Sequence, residues 1–233
     1  MASSIQAVGM QAEALTPFAY HSLAVPSGTA TAAGLVGDRA MGFALASALG
    51  LLRASPVMPR RDYAGHMARL PWLASVFEAQ EAALLRPLVC RLNLDTEGGY
   101  SKRIADATGS GNLKTFFTIQ EAAPGTVFQG AVFGANPFDM AADILGKPVT
   151  EIVVRVGLRR AGLLLLTPAM PETIRLNAAT AHLFGVDLPA AAPDGRVDRY
   201  VLHDLQLTAP LAVTRAAELV AGWRSFSGLG NAP

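Results

Sequence analysis

Apolar residues in the first part of the chain follow two different periods. Loose alternation over Ser4–Leu15 predicts a first β-strand. After a loop of small residues, apolar positions recur at helical spacing over Asp38–Leu52 and predict a helix that packs against a sheet. Asp38 is expected to cap the N-terminus of this helix. The apolar positions that define its packing face are Met41, Leu45, Leu49 and Leu52.

Strand patterns dominate the rest of the chain, with a few helical segments between them. The turn residues Pro124–Gly125 predict that the strands on either side of them form a hairpin, and the two apolar strands around residues 158–161 predict a second hairpin. The expected elements are a helix over Pro71–Leu85 with Trp72, Val76 and Phe77 as packing residues, strands over Arg86–Asp95, Lys114–Glu121 and Thr126–Gly134, a short helix over Asn136–Gly146, strands over Glu151–Gly157 and Gly162–Thr167, a last strand over Tyr200–Thr208 and a terminal helix over Leu211–Trp223.

The order of these elements predicts an α+β fold built on an antiparallel sheet with hairpins. Helices and strands mix without the strict alternation that a parallel sheet needs. The opening order of strand, helix, strand and strand is compatible with a ferredoxin-like (RRM-type) core, which here would carry a long polar insertion over Gly98–Asn112. No internal repeat or low-complexity linker divides the chain, so a single domain over residues 1–233 is expected.

Composition narrows the classes of partner. The chain is 51% hydrophobic and only 16% charged, which favours either a large core or a surface that other subunits cover. Its net charge of +1 provides no global basic field, so any contact with nucleic acid must be local. The N-terminal residues lack a signal-peptide pattern, and apolar stretches are shorter than the ~20 residues that span a bilayer. These features predict a cytoplasmic protein without membrane contact.

Sequence motifs for catalysis and cofactor binding are missing. The chain has no GxSxG elbow, no Walker loop, no dinucleotide-binding glycine pattern and no HExxH. Cys90 is the single cysteine, which excludes an internal disulfide and a cysteine-based zinc site. We therefore expect no enzyme activity, no catalytic residue, no metal and no cofactor.

Basic residues form the most informative polar constellation. Arg155 alternates with Val154 and Val156, so it is expected on the polar face of its strand, and the following turn carries two further arginines. Guanidinium groups in such positions can hold phosphates, with Tyr100 or Phe116 available to stack on a base. The alternative is that these residues are ordinary charges at strand edges. The candidate RNA-binding residues are Lys102, Arg103, Lys114, Arg155, Arg159 and Arg160.

Three stretches carry a resemblance to a known family. They are GDRAMGFALASALGLL from Gly37, GTVFQGAVFG from Gly125 and EIVVRVGLRRAGLLLL from Glu151, with a glycine-rich GLGN at Gly228. This pattern resembles the Cas-five-like subunits (RAMP superfamily) of class 1 CRISPR effector complexes, and it is most similar to the variants of type I-D and type IV systems.

The resemblance implies an RNA-recognition-type domain that binds the 5′ handle of the guide RNA (crRNA) and caps a Cascade-like complex in antiviral or anti-plasmid defence. The implied partners are the crRNA and the backbone and large subunits, with target DNA as a further candidate. The segment Gly98–Asn112 would then be a thumb-like excursion along the guide.

Two alternatives stay open at this point. One is a Cas-six-like guide-processing endoribonuclease on the same fold, with His21 as the general base that activates a 2′-hydroxyl. The other is an α+β interaction protein that does not bind nucleic acid.

Overall fold

The computed structural model describes residues 5–19, 23–25, 28–30, 34–52, 62–91, 116–157, 162–191 and 205–223. The strands are β1 (Ala7–Ala14), β2 (Leu23–Val25), β3 (Gly28–Ala30), β4 (Leu35–Val36), β5 (Trp72–Ala74), β6 (Phe77–Ala79), β7 (Leu88–Arg91), β8 (Phe116–Ile119), β9 (Val127–Gly134), β10 (Ile152–Val156), β11 (Gly162–Pro168), β12 (Thr173–Ile174) and β13 (Leu211–Ala212). The helices are α1 (Asp38–Ala48), α2 (Tyr63–Ala68), α3 (Pro137–Leu145), α4 (Ala178–Leu183) and α5 (Val213–Ala221).

A seven-stranded antiparallel sheet organises the described part of the chain. Its order is β10-β11-β1-β9-β6-β4, and β5 pairs with β9 next to β6. The pairs β2–β3, β7–β8 and β12–β13 form separate two-stranded ribbons. The fold is therefore α+β with a curled antiparallel sheet, and the expected fold class, consistent with a ferredoxin-like (RRM-type) core, is confirmed.

One face of this sheet forms the main core with helices α1 and α3. Alternation along the strands sends every second side chain to this face, and the helices supply the opposing apolar surface. Met41 and Leu45 of α1, which the helical spacing identified, are fully buried there. The sheet residues that they join include Met10, Ala12, Phe128, Val154, Leu164 and Leu166.

The opposite face is called the outer face below, and the described residues cover it at one end. Helix α5 buries Ala216 and Val220 there, in a cluster that includes Ala131 and Phe133 of β9. Elsewhere on this face the side chains are half-buried or exposed, and the strand register defines their rows. One row runs across the sheet through Thr167, Gln11, Gln129 and Glu78, and the next runs through Val153, Leu165, Glu13 and Val127.

Several elements agree with the sequence patterns. Strand β1, helix α5 and the β10–β11 hairpin occupy the expected segments. Helix α3 begins after Asn136, whose side chain accepts from the Phe138 N–H, and ends at Gly146 with φ 67°. The described part of the expected strand Arg86–Asp95 is β7. Of the described residues, no helix combines the length and the hydropathy that crossing a bilayer requires.

The expected helix over Pro71–Leu85 is wrong. This segment forms β5 and β6, which both pair with β9. Trp72, Val76 and Phe77 are indeed buried, but they are buried in the sheet core. Ser75 lies between the two strands and accepts a hydrogen bond from the Ala131 N–H at 2.8 Å. Pairing with β9 supplies hydrogen bonds and packing that outweigh the local helical spacing.

Four smaller expectations also need correction. Asp38 is the first residue of α1 and is buried, while Gly37 occupies the cap position without a side-chain hydrogen bond. The helix ends at Ala48, and Leu52 is 46% exposed. Strand β8 pairs with β7 and not with β9, so the hairpin expected around Pro124–Gly125 does not form. Of the expected last strand, the described residues 205–208 make only an isolated bridge, between Leu207 and Asn177.

Candidate nucleic-acid interface

Phe18 lies at a junction of several chain segments. Its ring is 1% exposed and stands 5.9 Å from the ring of Phe128, centroid to centroid. Its backbone forms a bridge with Ala122: the Ala122 N–H donates to the Phe18 carbonyl at 2.8 Å, and the Phe18 N–H donates back at 3.4 Å. The bridge fixes the chain that leaves β1 against the segment that enters β9.

The β10–β11 hairpin is anchored on the same aromatic ring. A Cβ added to Gly162 would lie 2.6 Å from Phe18 Cβ, and one added to Gly157 would lie 3.2 Å from it and 3.0 Å from the Ala19 carbonyl oxygen. Gly157 also has φ 83°, a conformation that favours glycine. Both ends of the hairpin loop therefore fit against Phe18–Ala19 because they lack side chains.

The β7–β8 ribbon begins at this junction as well. Leu84 bridges Ala122, the residue that pairs with Phe18, and the Leu85 N–H donates to the Glu121 carbonyl at 2.9 Å. From this base the two strands run out in register from Leu88↔Ile119 to Arg91↔Phe116. The ribbon thus carries the chain away from Phe18 toward residues 92–115.

Arg155 is the one candidate RNA-binding residue that the structure describes. It is exposed on the outer face of the edge strand β10, opposite Leu163 of β11 and two residues before Gly157. It lies on the side of the strand that faces away from the core, as the alternation predicts, but that side is not polar. Its immediate neighbours on that face are apolar, since Val153 is 48% exposed and Leu163 is half-buried.

The other candidates lie outside the described residues, as does the excursion Gly98–Asn112. The structure does describe residues that border the segments in which these candidates lie. Ala19 precedes the segment with His21, Gly157 and Gly162 bracket the segment with the arginine pair, and the ribbon strands lead into the long excursion. The convergence of the basic side chains stays a prediction. The candidates concerned are Lys102, Arg103, Lys114, Arg159, Arg160 and the alternative general base His21.

A buried polar cluster joins α1 to the segment before α4, and no local pattern indicated it. The Asn177 side-chain amide donates to Asp38 Oδ1 at 2.9 Å and to Thr180 Oγ1 at 3.1 Å, and Arg39 Nε donates to Thr180 Oγ1 at 3.0 Å. Burial raises the pKa of Asp38, partly offset by hydrogen bonds from Thr180 and Asn177 and by the Arg39 charge. The Arg39 guanidinium also lies 5.2 Å above the Tyr63 ring.

This cluster connects helix α1 with the residues at the start of helix α4 through hydrogen bonds. A void of about 10 Å³ adjoins Asp38, which is the space of about one water molecule and too small for a substrate. Elsewhere, in the residues that the structure describes, no group of three or more His, Cys, Asp or Glu side chains could hold a metal ion.

The comparisons with known proteins give a likeness to solved structures and nothing else. No family model matches the chain, and no curated protein matches its sequence. The chain is similar to one in the cryo-EM structure of the Type III-B Cmr-beta bound to cognate target RNA and AMPPnP, with 15% identity and a TM-score of 0.39. The match covers 84% of this chain and 73% of that chain. At this TM-score the likeness carries no conclusion about function.

Proposed function

We propose that this chain is a guide-RNA-binding subunit of a multi-subunit CRISPR effector complex, in which it holds the 5′ handle and caps the assembly. The sequence stretches that resemble the Cas-five-like subunits support this proposal. The α+β fold with an antiparallel sheet is compatible with an RNA-recognition-type domain. The low charged fraction of 16% fits a subunit whose surface is largely covered by other subunits.

The junction at Phe18 is the observation that carries the proposal. Three sets of described residues lie at this corner of the sheet. They are the residues before the His21 segment, those on both sides of the arginine pair, and those at the base of the ribbon that leads to Lys102 and Arg103. Arg155 stands on the outer face two residues from it. Because these segments all start from one corner of the sheet, their basic side chains could contact the same RNA strand.

Strand geometry also indicates the shape of such a contact. Phe116 is six residues before Ala122, which corresponds to about 20 Å of extended chain. The contact at the end of the ribbon would therefore be separated from the contact at Arg155. A single strand of RNA bound along an extended line fits this spacing, and binding of one isolated phosphate does not.

A reconstituted complex tests the proposal. Arg155→Ala, and the pair Arg159→Ala with Arg160→Ala, should reduce guide occupancy. Each lost phosphate contact should also make the negative slope of log K against log salt shallower by about 0.7. Lys147→Ala removes one charge from an exposed position in the loop between α3 and β10 and is the matched control. Guide occupancy and salt slope that equal the control in both variants would refute the proposal.

Guide processing by His21 is the second candidate function. It is favoured by one contact, since the Ala19 carbonyl, two residues before His21, lies against the end of the arginine-bearing hairpin at Gly157. We expect no cleavage when the purified chain is incubated with repeat RNA in the absence of metal. Cleavage that His21→Ala abolishes would establish the enzyme instead, and a chain from which RNA never co-purifies would indicate a protein-interaction role.

A further inference from the structure

Strand β10 forms one edge of the main sheet. It pairs with β11 on one side, and no other strand in the described part of the chain pairs with it. From Glu151 to Val156, exposed residues alternate strictly with buried ones. The opposite edge of the sheet, β4, consists of two buried residues. The edge at which a further strand has room to pair is therefore β10.

The hydrogen bonds of β11 show which backbone groups of β10 point to the open side. The Leu163 carbonyl accepts from the Leu15 N–H, and the Leu163 N–H donates to Thr16 Oγ1, both at 2.8 Å. Leu163 thus directs both of its groups away from β10. In an antiparallel ladder its register partner, Arg155, must then direct its own N–H and carbonyl to the open side of the sheet. The same holds for Val153, two residues earlier.

This open edge has the properties of a strand that accepts a partner. Among the described residues, none forms a backbone hydrogen bond with Val153 or Arg155. Strand β10 contains no proline, and its register with β11 runs without a bulge, so the usual features that block edge pairing are missing from it. Val153 is also 48% exposed beside these backbone groups. A further strand would gain both hydrogen bonds and apolar contact here.

The side chains along this edge are complementary to themselves. Glu151, Val153 and Arg155 are exposed at alternate positions, so an acid, an apolar residue and a base follow one another on the outer face. The best antiparallel partner has a base opposite Glu151 and an acid opposite Arg155. Read from its own N-terminus, that partner is again acid, apolar residue and base. The sequence that fits this edge is therefore the sequence of the edge itself.

The register of such a pairing follows from the charges. With Val153 on a two-fold axis, the two copies of Val153 face each other and each Arg155 faces Glu151 of the other copy. Antiparallel pairing centred on Arg155, or parallel pairing in register, would place like charges opposite each other. Pairing centred on Val154 would place Glu151 opposite Gly157 and leave both charges without a partner. The register centred on Val153 is therefore favoured.

We propose that β10 is a self-association edge, through which two copies of this chain form a symmetric dimer with one continuous sheet. Each cross-strand pair on the open side exchanges two backbone hydrogen bonds. On the outer face, Val153 and Leu165 lie in one row, and this row continues into the same residues of the second copy as an apolar stripe. The same patch is used on both copies, so the assembly closes at two.

A single pair of strands makes a small interface. It falls below the about 1,200 Å² of standard interfaces, so we expect a reversible dimer with a Kd of about 10–100 µM. The inference goes beyond the proposed function and does not depend on it. Because Arg155 is also a candidate RNA contact, the measurement uses the full-length chain freed of nucleic acid. A failure of self-association then leaves guide binding undecided, and the reverse also holds.

Charge reversal and mixing test the pairing in sedimentation-velocity experiments at several protein concentrations. Glu151→Arg places like charges opposite each other in the dimer, and so does Arg155→Glu. Each variant alone should dimerise at least about tenfold more weakly than the wild type. In an equal mixture the two variants should form a heterodimer with about the wild-type Kd, because every acid again faces a base. Glu81→Arg makes the same change of charge at an exposed position beyond β6 and should keep the wild-type Kd.

Val153→Pro tests the backbone pairing separately from the charges. Proline has no N–H, and at this position the donor points to the open side, so the ladder with β11 stays intact. We expect this variant to be folded and monomeric, with circular dichroism and thermal unfolding as the check of its fold. If Val153→Pro does not fold, the mixing of the two charge variants decides.

The outcomes that overturn the proposal are distinct. One is a wild-type chain that stays monomeric up to about 500 µM. Another is a dimer whose Kd is unchanged in both charge variants, or a pair of weakened variants that do not associate when mixed. A loss of dimerisation in Glu81→Arg equal to that in Glu151→Arg would show a general effect of net charge and would overturn the proposal as well.

Discussion

Replacement of Gly162 by alanine tests the junction at Phe18 most directly. The new methyl group would lie 2.6 Å from Phe18 Cβ and 2.7 Å from its Cγ, whereas carbon atoms pack best at about 3.5–4.0 Å. The φ angle of Gly162 is not in the left-handed region, so the backbone itself accepts alanine. Any cost must therefore come from the contact with Phe18.

The surroundings prevent an easy relaxation of this contact. Phe18 is 1% exposed, packs on Phe128 and is held by its bridge to Ala122, while Gly162 pairs with Val156 in the β10–β11 ladder. Relief requires a shift of about 1 Å in one of these elements. Overpacking of this kind costs about 1–3 kcal/mol of unfolding free energy, and each kcal/mol lowers Tm by about 2–4 °C in a chain of this size.

Urea unfolding followed by circular dichroism measures this cost. Gly42→Ala is the matched control, because a Cβ at that position of α1 would lie 3.7 Å from Leu70 Cδ1, an ordinary contact. In a helix interior the exchange stabilises by up to about 1 kcal/mol. If Gly162→Ala were as stable as the wild type, or shifted in the same direction as Gly42→Ala, the close packing of the hairpin on Phe18 would be refuted.

Two further predictions concern polar groups. Because burial raises the pKa of Asp38, its ionisation costs folding free energy, and this part of the stability is lost as the pH rises from the ordinary value of 3.8 through the raised value of the folded chain. Asp38→Asn keeps an oxygen that accepts from Asn177, so its unfolding free energy should rise relative to that of the wild type as the pH increases toward neutrality. If the unfolding free energies of the two proteins, measured with urea, changed in parallel with pH, this prediction would be wrong. Asn136→Ala removes the acceptor 3.0 Å from the Phe138 N–H and should cost about 1 kcal/mol, which Asn136→Asp should largely retain in the same urea assay.

Elements with strong local signals were predictable from sequence. Helix α3 has an asparagine cap, a proline in its first turn and a glycine with positive φ at its end, and all three act within a few residues. The β10–β11 hairpin follows from two apolar runs around a short turn. The same alternation placed Arg155 on the outward face of its strand, where the structure has it, while its contact with RNA stays a prediction.

Segments whose partners are distant in sequence were not predictable in the same way. Trp72 and Phe77 fit a helical face as well as two short strands, and their pairing with Gly134 and Val36 decides between these structures. Asp38 resembles a helix cap in its local context, yet its carboxylate accepts from Asn177, which is 139 residues away. No local pattern encodes either contact.

The sequence by itself determined the class of fold, the outward residues of the β10–β11 hairpin and the absence of recognisable catalytic motifs, because periodicity and turn chemistry act over short stretches. Only the tertiary structure decided that the ends of the arginine-bearing hairpin and the base of the β7–β8 ribbon meet at Phe18, and that Glu78 pairs with Arg175 at 3.5 Å. These arrangements depend on which strands pair. That choice is made by the free energy of burying the whole sheet, which no single segment contains.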